Sequence, residues 1–265
     1  MDVSIIEITG YLMAGILAGG INTLAGGGGI FSLSLLLFFG VPADIANGTN
    51  RLGILVQNLT GTITFYRSGL LDIKSSLPLV VVATVGAVIG AWLATVIQVD
   101  FLERIVGGVM LVMLVIMLTR TKSKPLPASI KPPKPSIGLI IVMGVIGFYG
   151  GFVQAGAGLI IIIALSRLAK LSLIRSNAVK MAIIFCYSVP AFAIFIWKDQ
   201  VNWVLAILLA VGQVIGTGIA GKFASNSKKA NQWVQRLLFL MISLTVLKTF
   251  GILELGAHYL QNWWG

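Results

Sequence analysis

Ten apolar runs with few charges fill nearly the whole chain: residues 5–24, 29–41, 48–66, 77–97, 103–119, 137–154, 157–168, 177–197, 203–223 and 234–252. A helix needs about 20 apolar residues to cross a hydrocarbon core of about 30 Å, so repeated runs of this kind leave almost nothing for a water-facing fold. Composition agrees. Of 265 residues, 57% are hydrophobic and 10% charged, with a mean hydropathy of +0.99, against about 25% charged residues in a soluble domain. A soluble enzyme, a disordered tail and a disulfide scaffold are excluded. The expected fold is an all-α polytopic membrane protein that lies in a lipid bilayer.

The two sets of five runs are separated by RTKSKPLPASIKPPKPS, residues 120–136, which holds five of the eight prolines and five basic residues. Each proline removes a donor and blocks the preceding turn, so this stretch reads as a water-exposed linker between a first transmembrane repeat at 1–119 and a second at 137–265. The net charge of +11 calls for no nucleic acid, because the basic residues lie mostly in loops. With the linker in the cytoplasm, Arg67, Lys74, Arg167, Lys170, Arg175, Lys222, Lys228, Lys229 and Arg236 fall on the same side. Asp72 stays with them, and Asp2, Glu7, Asp44, Asp100, Glu103, Asp199 and Glu254 fall on the other side together with Arg104 and Lys198. The positive-inside rule then predicts a cytoplasmic linker and both termini outside. Asp2 and Glu7 replace the basic start of a cleavable signal, so the first run reads as a retained span.

The halves resemble each other. LVVVATVGAVIGAWLA (79–94) and LAILLAVGQVIGTGIA (205–220) agree at seven of sixteen positions, including Gly86/Gly212 and Gly90/Gly216. Both carry GxxxG, which lets helices approach closely in lipid. A single constant offset aligns Gly15 with Gly144, Gly27 with Gly156, Gly29 with Gly158 and Arg51 with Lys180; Gly19–Gly20 against Gly150–Gly151 is a rival register. An odd number of crossings per half predicts two inverted-topology repeats of about five helical segments each, an architecture that places a substrate site at the repeat interface near the midplane. The short runs 29–41 and 157–168 follow LAGGGGIFS and GGFVQAGAG and read as broken helices whose glycine-rich hairpin tips lie inside the membrane.

Candidate chemistry gathers at these tips and just beyond them. Arg51 and Lys180 each open a long apolar run, and no acidic residue lies deep in a run to neutralise either. An intramembrane charge faces a cavity or a partner by default, although snorkelling at a helix end is the rival reading. Asn47, Asn50, Ser176 and Asn177 beside them can donate to oxyanion oxygens. Gly27, Gly28, Gly29, Gly156 and Gly158 expose backbone N–H groups at helix N-termini, a ready anion cradle, or else simply relieve crowding in a tight turn. Gln154 and Ser188 are second-half counterparts in character of the polar set Asn22, Thr23, Gln57, Asn58, Thr60, Thr62 and Thr64. Cys186 and His258 are the single residues of their kinds and form no metal or haem ligand set, nor a nucleophile–base pair. No cofactor and no enzyme activity are expected.

GGINTLAGGGGIFSLSLLLFFGVPADIANGTN, repeated loosely as GGFVQAGAGLIIIIALSRLAKLSLIRSNAVK, resembles the TauE/SafE family of sulfite exporters over essentially the whole chain. The resemblance implies export of small sulfur oxyanions or organosulfonates, such as sulfite or sulfoacetate, across a bacterial-type cytoplasmic membrane. The second motif departs from the first, with alanines alternating with glycine and Ala178 where the first has Thr49. Transport of another small anion, or a non-transporting role as a membrane assembly subunit, are the alternative functions.

Overall fold

The computed structural model describes residues 5–25, 27–119, 136–223 and 228–249. It contains ten helices in two runs of five: α1 (Ile5–Ala25), α2 (Gly28–Phe38), α3 (Ala43–Arg67), α4 (Ile73–Val96) and α5 (Val99–Thr119), then α6 (Ile137–Phe152), α7 (Ala157–Leu168), α8 (Leu173–Trp197), α9 (Trp203–Phe223) and α10 (Lys228–Thr249). No strand occurs among the described residues. The linker lies outside them except for Ser136, whose hydroxyl caps α6 by accepting from the Leu139 N–H. His258, Glu254 and Asp2 lie outside them as well.

Among the described residues, three helices are long and apolar enough to cross a bilayer: Ile73–Val96, Leu173–Trp197 and Trp203–Ala220. Their outward faces carry Val81, Val85, Ile89 and Trp92 on α4, and Val204, Ile207, Val211 and Ile215 on α9, all well exposed. The interior holds Arg51, Lys180, Asn47, Asn50, Gln57 and Asn58. Apolar outside and polar inside is the arrangement for a protein whose solvent is lipid.

Two parallel crossings organise the bundle. On α4, Gly86 and Gly90 press against α6 at Gly144 and Phe148, while Gly147 and Gly151 of α6 meet the backbone at Ala83 and Ala87. On α9, Gly212 and Gly216 press against α1 at Leu12 and Ile16, while Gly15 and Gly19 of α1 meet Leu209 and Gln213. Four GxxxG motifs therefore make two equivalent contacts. A Cβ at any of these eight glycines would run into the neighbouring helix, which is why small residues are needed where backbones touch. Correspondence of the contacts pairs Gly15 with Gly147 and Gly19 with Gly151. The expected pairing of Gly15 with Gly144 is thereby corrected by one step of the helix surface. Glycine spacing alone admits several registers, and only the opposing backbone selects one.

Helix starts elsewhere repeat at a nearly constant spacing along the chain: Gly28 and Ala157, Ala43 and Leu173, Ile73 and Trp203, Val99 and Lys228. Left-handed residues repeat in step with them. Gly40 (φ 81°) and Lys170 (φ 50°) follow α2 and α7, and Gly69 (φ 70°) and Asp199 (φ 55°) follow α3 and α8.

Helices α3 and α8 cross antiparallel at the centre, with Gly48 against Phe195 and Gly61 against Met181. Because α9 follows α8 and α1 runs parallel to α9, the hairpin α1–α2 enters from the end of the bundle that holds Asp44, Lys198 and Asp199. The hairpin α6–α7 enters from the opposite end, which holds Arg67, Lys74, Arg167, Lys170 and Arg175. Their tips meet in the interior, where a Cβ on Gly156 would contact Ile30 at 3.1 Å and Met113 at 2.6 Å.

Candidate functional site

Both helices that carry the interior cations start earlier than their hydropathy suggests, α3 at Ala43 and α8 at Leu173. Arg51 and Lys180 consequently lie about two turns inside, and they are 0% and 2% exposed. Neither snorkels. Their surroundings differ completely.

Arg51 closes the C-terminal end of α6. Its Nη1 donates to the Gly150 carbonyl at 3.4 Å, and its Nη2 to the carbonyls of Gly151 and Phe152 and to Asn47 Oδ1 at 3.3 Å. Asn47 Nδ2 donates to the Phe152 carbonyl at 2.6 Å, and the guanidinium carbon lies 4.4 Å from the Phe195 ring centroid. The last carbonyls of a helix lack intrahelical partners and carry its negative dipole end. A forked cation meets both needs.

Lys180 has no hydrogen-bond or ion-pair partner among the described residues. It borders a cavity lined also by Asn22, Gly29, Ile54, Asn58, Gln154, Gly156, Gly158 and Ile184, with about 20 Å³ open to the centre of a water molecule. That is room for a compact ion or a water or so. Along α8 the backbone of Lys180 is about 22 Å from that of Phe195, beside which Arg51 sits, so the two cations do not share one hollow.

Three features make the cavity electropositive. Lys180 supplies a formal charge, and Gly29 and Gly158 bring the first turns of α2 and α7, whose early N–H groups have no intrahelical acceptor. No carboxylate among the described residues lines the cavity. Gly156 caps α7 at φ 74°, a left-handed conformation that glycine adopts without strain. Gln154 is held at φ 64°, with its Nε2 donating to Ser188 Oγ at 3.1 Å. Its Oε1 and the Oδ1 of Asn58 are buried without a partner.

Of the residues expected from sequence, Lys180, Gly29, Gly156, Gly158 and Gln154 line this cavity. Arg51 and Asn47, both on α3, form the separate cluster against the end of α6. Asn50 clamps the α2 hairpin arm to α3, donating to the Gly29 carbonyl at 3.0 Å and accepting from Ser32 Oγ at 2.5 Å. Gly27 caps α2 by accepting from Ile30 and Phe31, and Gly28 packs on α1 at Ala18 and Asn22. Asn177 is half-buried and outside the cavity; Ser176 is buried and donates to the Leu171 carbonyl at 3.5 Å. Asn58 and Asn22 stand out in the sequence only as polar residues of the first half. Asn58 follows Arg51 by two helical turns, on the same stripe of α3, and that spacing is the signal that points it inward. Asn22 Nδ2 donates to Gln57 Oε1 at 2.6 Å, and Gln57 Nε2 to Thr217 Oγ1 at 2.7 Å, which ties α1, α3 and α9 together at the cavity wall.

An all-helical bundle, apolar without and cationic within, whose two broken hairpins meet at a small polar hollow, defines the class of polytopic membrane transporters with discontinuous helices. Residues 11–249 match the family described as "Sulfite exporter TauE/SafE", and the chain belongs to that family of membrane transporters. Curated relatives include "Probable membrane transporter protein ORF9" of Sinorhizobium sp, 26% identical over 96% of this chain and 95% of its own length. "Probable membrane transporter protein YdhB" of Bacillus subtilis is 28% identical over 80% of this chain and 87% of its own. "Probable membrane transporter protein YfcA" of Escherichia coli K12 is 25% identical over 78% and 76%. No solved structure matches the chain.

Proposed function

We propose that the chain exports a small sulfur-containing anion, sulfite or a compact organosulfonate, from the cytoplasm through the cavity where the two hairpin tips meet. The observation that carries this reading is Lys180: a buried ammonium without a partner among the described residues, facing two helix N-termini in a hollow with no carboxylate. An unpartnered charge in lipid is expensive, and a bound anion offsets that cost. The small size of the hollow favours sulfite over a bulkier sulfonate such as sulfoacetate.

In this reading the halves are inverted repeats, the end bearing Arg67, Lys74, Arg167 and Lys170 faces the cytoplasm, and the membrane is the bacterial-type inner one. The substrate-binding set is Lys180, Gln154, Gly29, Gly156 and Gly158 with Asn22 and Asn58. Arg51 and Asn47 position the tip of α6, and Asn50, Gly27 and Gly28 position the tip of α2. An inside-negative potential favours outward movement of an anion by about 2.3 kcal/mol per charge per 100 mV, so efflux needs no coupled ion. The test is flux from proteoliposomes loaded with sulfite, sulfoacetate, sulfate or chloride, with the membrane potential clamped by potassium and valinomycin. Sulfite efflux that grows with an inside-negative potential is the expected result. Equal rates for sulfite and for empty-vesicle leak would overturn the reading.

A further inference from the structure

The geometry points to a substrate that carries its own hydrogen-bond donor: we propose that the cavity selects a singly charged, protic oxyanion over an aprotic one of the same shape and charge. The inference rests on the anion-site reading above and deepens it. It comes from two oxygens that the fold leaves over. Asn58 is 1% exposed, and its Nδ2 donates to the Ile54 carbonyl at 2.7 Å. A carbonyl only accepts, so the amide cannot be turned around, and Oδ1 is the end directed away from that bond, buried and unpartnered. Gln154, 5% exposed, bonds the Ser188 hydroxyl through Nε2 with Oε1 unpartnered; a hydroxyl pairs with either end of an amide, so Asn58 fixes the sign of the requirement and Gln154 adds to it in this orientation. Its left-handed backbone is a conformation most side chains avoid.

Both residues line the same hollow as Lys180. A buried acceptor without a donor costs more than an average hydrogen bond returns. An anion with only oxygens and carbon would set negative oxygens beside Oδ1 and Oε1. One with an O–H or N–H group can turn its anionic oxygens to Lys180 and to the N-termini of α2 and α7, and donate to Asn58 or Gln154. Hydrogen sulfite and amino- or hydroxy-substituted sulfonates have this combination. Sulfate and simple alkanesulfonates do not.

Sulfamate and methanesulfonate separate the alternatives. Both are monoanions near neutral pH and nearly the same shape, and they differ in an amino against a methyl group on sulfur. Binding of each to the full-length protein in nanodiscs, followed by calorimetry, should favour sulfamate by about tenfold, the size of one hydrogen bond to a buried acceptor. The ratio should fall below about threefold in Asn58→Leu and in Gln154→Gly; the second variant suits a left-handed position and serves where the first does not fold. Equal affinities in the unaltered protein, or a preference for methanesulfonate, would overturn the donor requirement while leaving the anion site intact. A preference that survives in both folded variants would overturn the assignment to Asn58 and Gln154. Binding of neither anion, nor of sulfite, would overturn the anion site itself and this inference with it.

Discussion

Arg51 and Lys180 occupy corresponding places in the two halves, about two turns into α3 and α8, and are equally buried. One spends both terminal nitrogens on its surroundings, with only Nε left over; the other spends nothing on described residues. Arg51 meets three carbonyls of α6 and the Asn47 amide oxygen; Lys180 meets a hollow. The guanidinium is a rigid fork suited to several carbonyls at once, whereas the ammonium is a compact point charge on a flexible stem. The lesson is that burial of a cation in lipid does not by itself mark a binding site. What marks one is burial without partners.

Exchange of roles gives the largest predicted effect. Lys180→Gln should reduce anion efflux at least about 100-fold, as expected when the one charge that meets a buried anion is lost. Its melting temperature should stay level or rise, because an unpartnered buried charge is a burden on the fold. Arg51→Gln should do the opposite to stability. Carbonyls at Gly150, Gly151 and Phe152 lose their donors, at a cost of about 3 kcal/mol or more, and the chain should unfold earlier in detergent or express poorly. Circular dichroism melts and flux on the same preparations check both. A Lys180→Gln protein that melts well below the unaltered one, with flux and stability falling together, would erase the contrast.

Legibility in the sequence follows the same line. The ten helices agree with the ten apolar runs, because hydropathy is what lipid selects. Their starts do not: α3 and α8 begin at Ala43 and Leu173 rather than near 48 and 177. Asn47, Thr49 and Asn50, like Ser176, interrupt hydropathy but are buried against protein, where hydrogen bonds replace the need for apolarity. The pairing of Arg51 with Lys180 is visible as spacing, and the glycines at the tips as composition. What each cation touches is not, since for Arg51 it depends on the end of α6, far along the chain. Asn58 escapes notice as a cavity residue because an asparagine in a helix reads the same whether it bonds a neighbour or faces a hollow.

A second contrast concerns the crossings. In α9, Gly216 lies against the Ile16 backbone, while Gly218 has nothing within 4 Å of an added Cβ. Gly216→Ala must push two helix backbones apart and should cost about 2 kcal/mol. Gly90→Ala should cost the same at the equivalent crossing with Phe148. Gly218→Ala should instead stabilise by about 0.5–1 kcal/mol, through helix propensity alone. Thermal melts of the three variants in one detergent decide the matter. Equal tolerance of alanine at Gly90 and Gly218 would break the claim that the GxxxG faces hold the bundle together.

The smallest effect tests the correspondence of the halves through the backbone. Where the first half turns out of α2 and α3 it uses Gly40 and Gly69; the second half places Lys170 and Asp199 at the same left-handed conformation. An L side chain there costs about 1–2 kcal/mol relative to an unstrained one, somewhat less for Asp, and glycine removes the conflict between Cβ and the carbonyl. Lys170→Gly and Asp199→Gly should therefore each stabilise the protein, by about 0.5–1 kcal/mol after the entropy glycine adds to the unfolded chain is subtracted. Gly40→Ala, with nothing within 4 Å of its Cβ, should destabilise by a similar amount through φ alone. Opposite signs at the matching turns of the two halves, read from the same melts, are the signature of one turn used in both, with the strain carried only in the second.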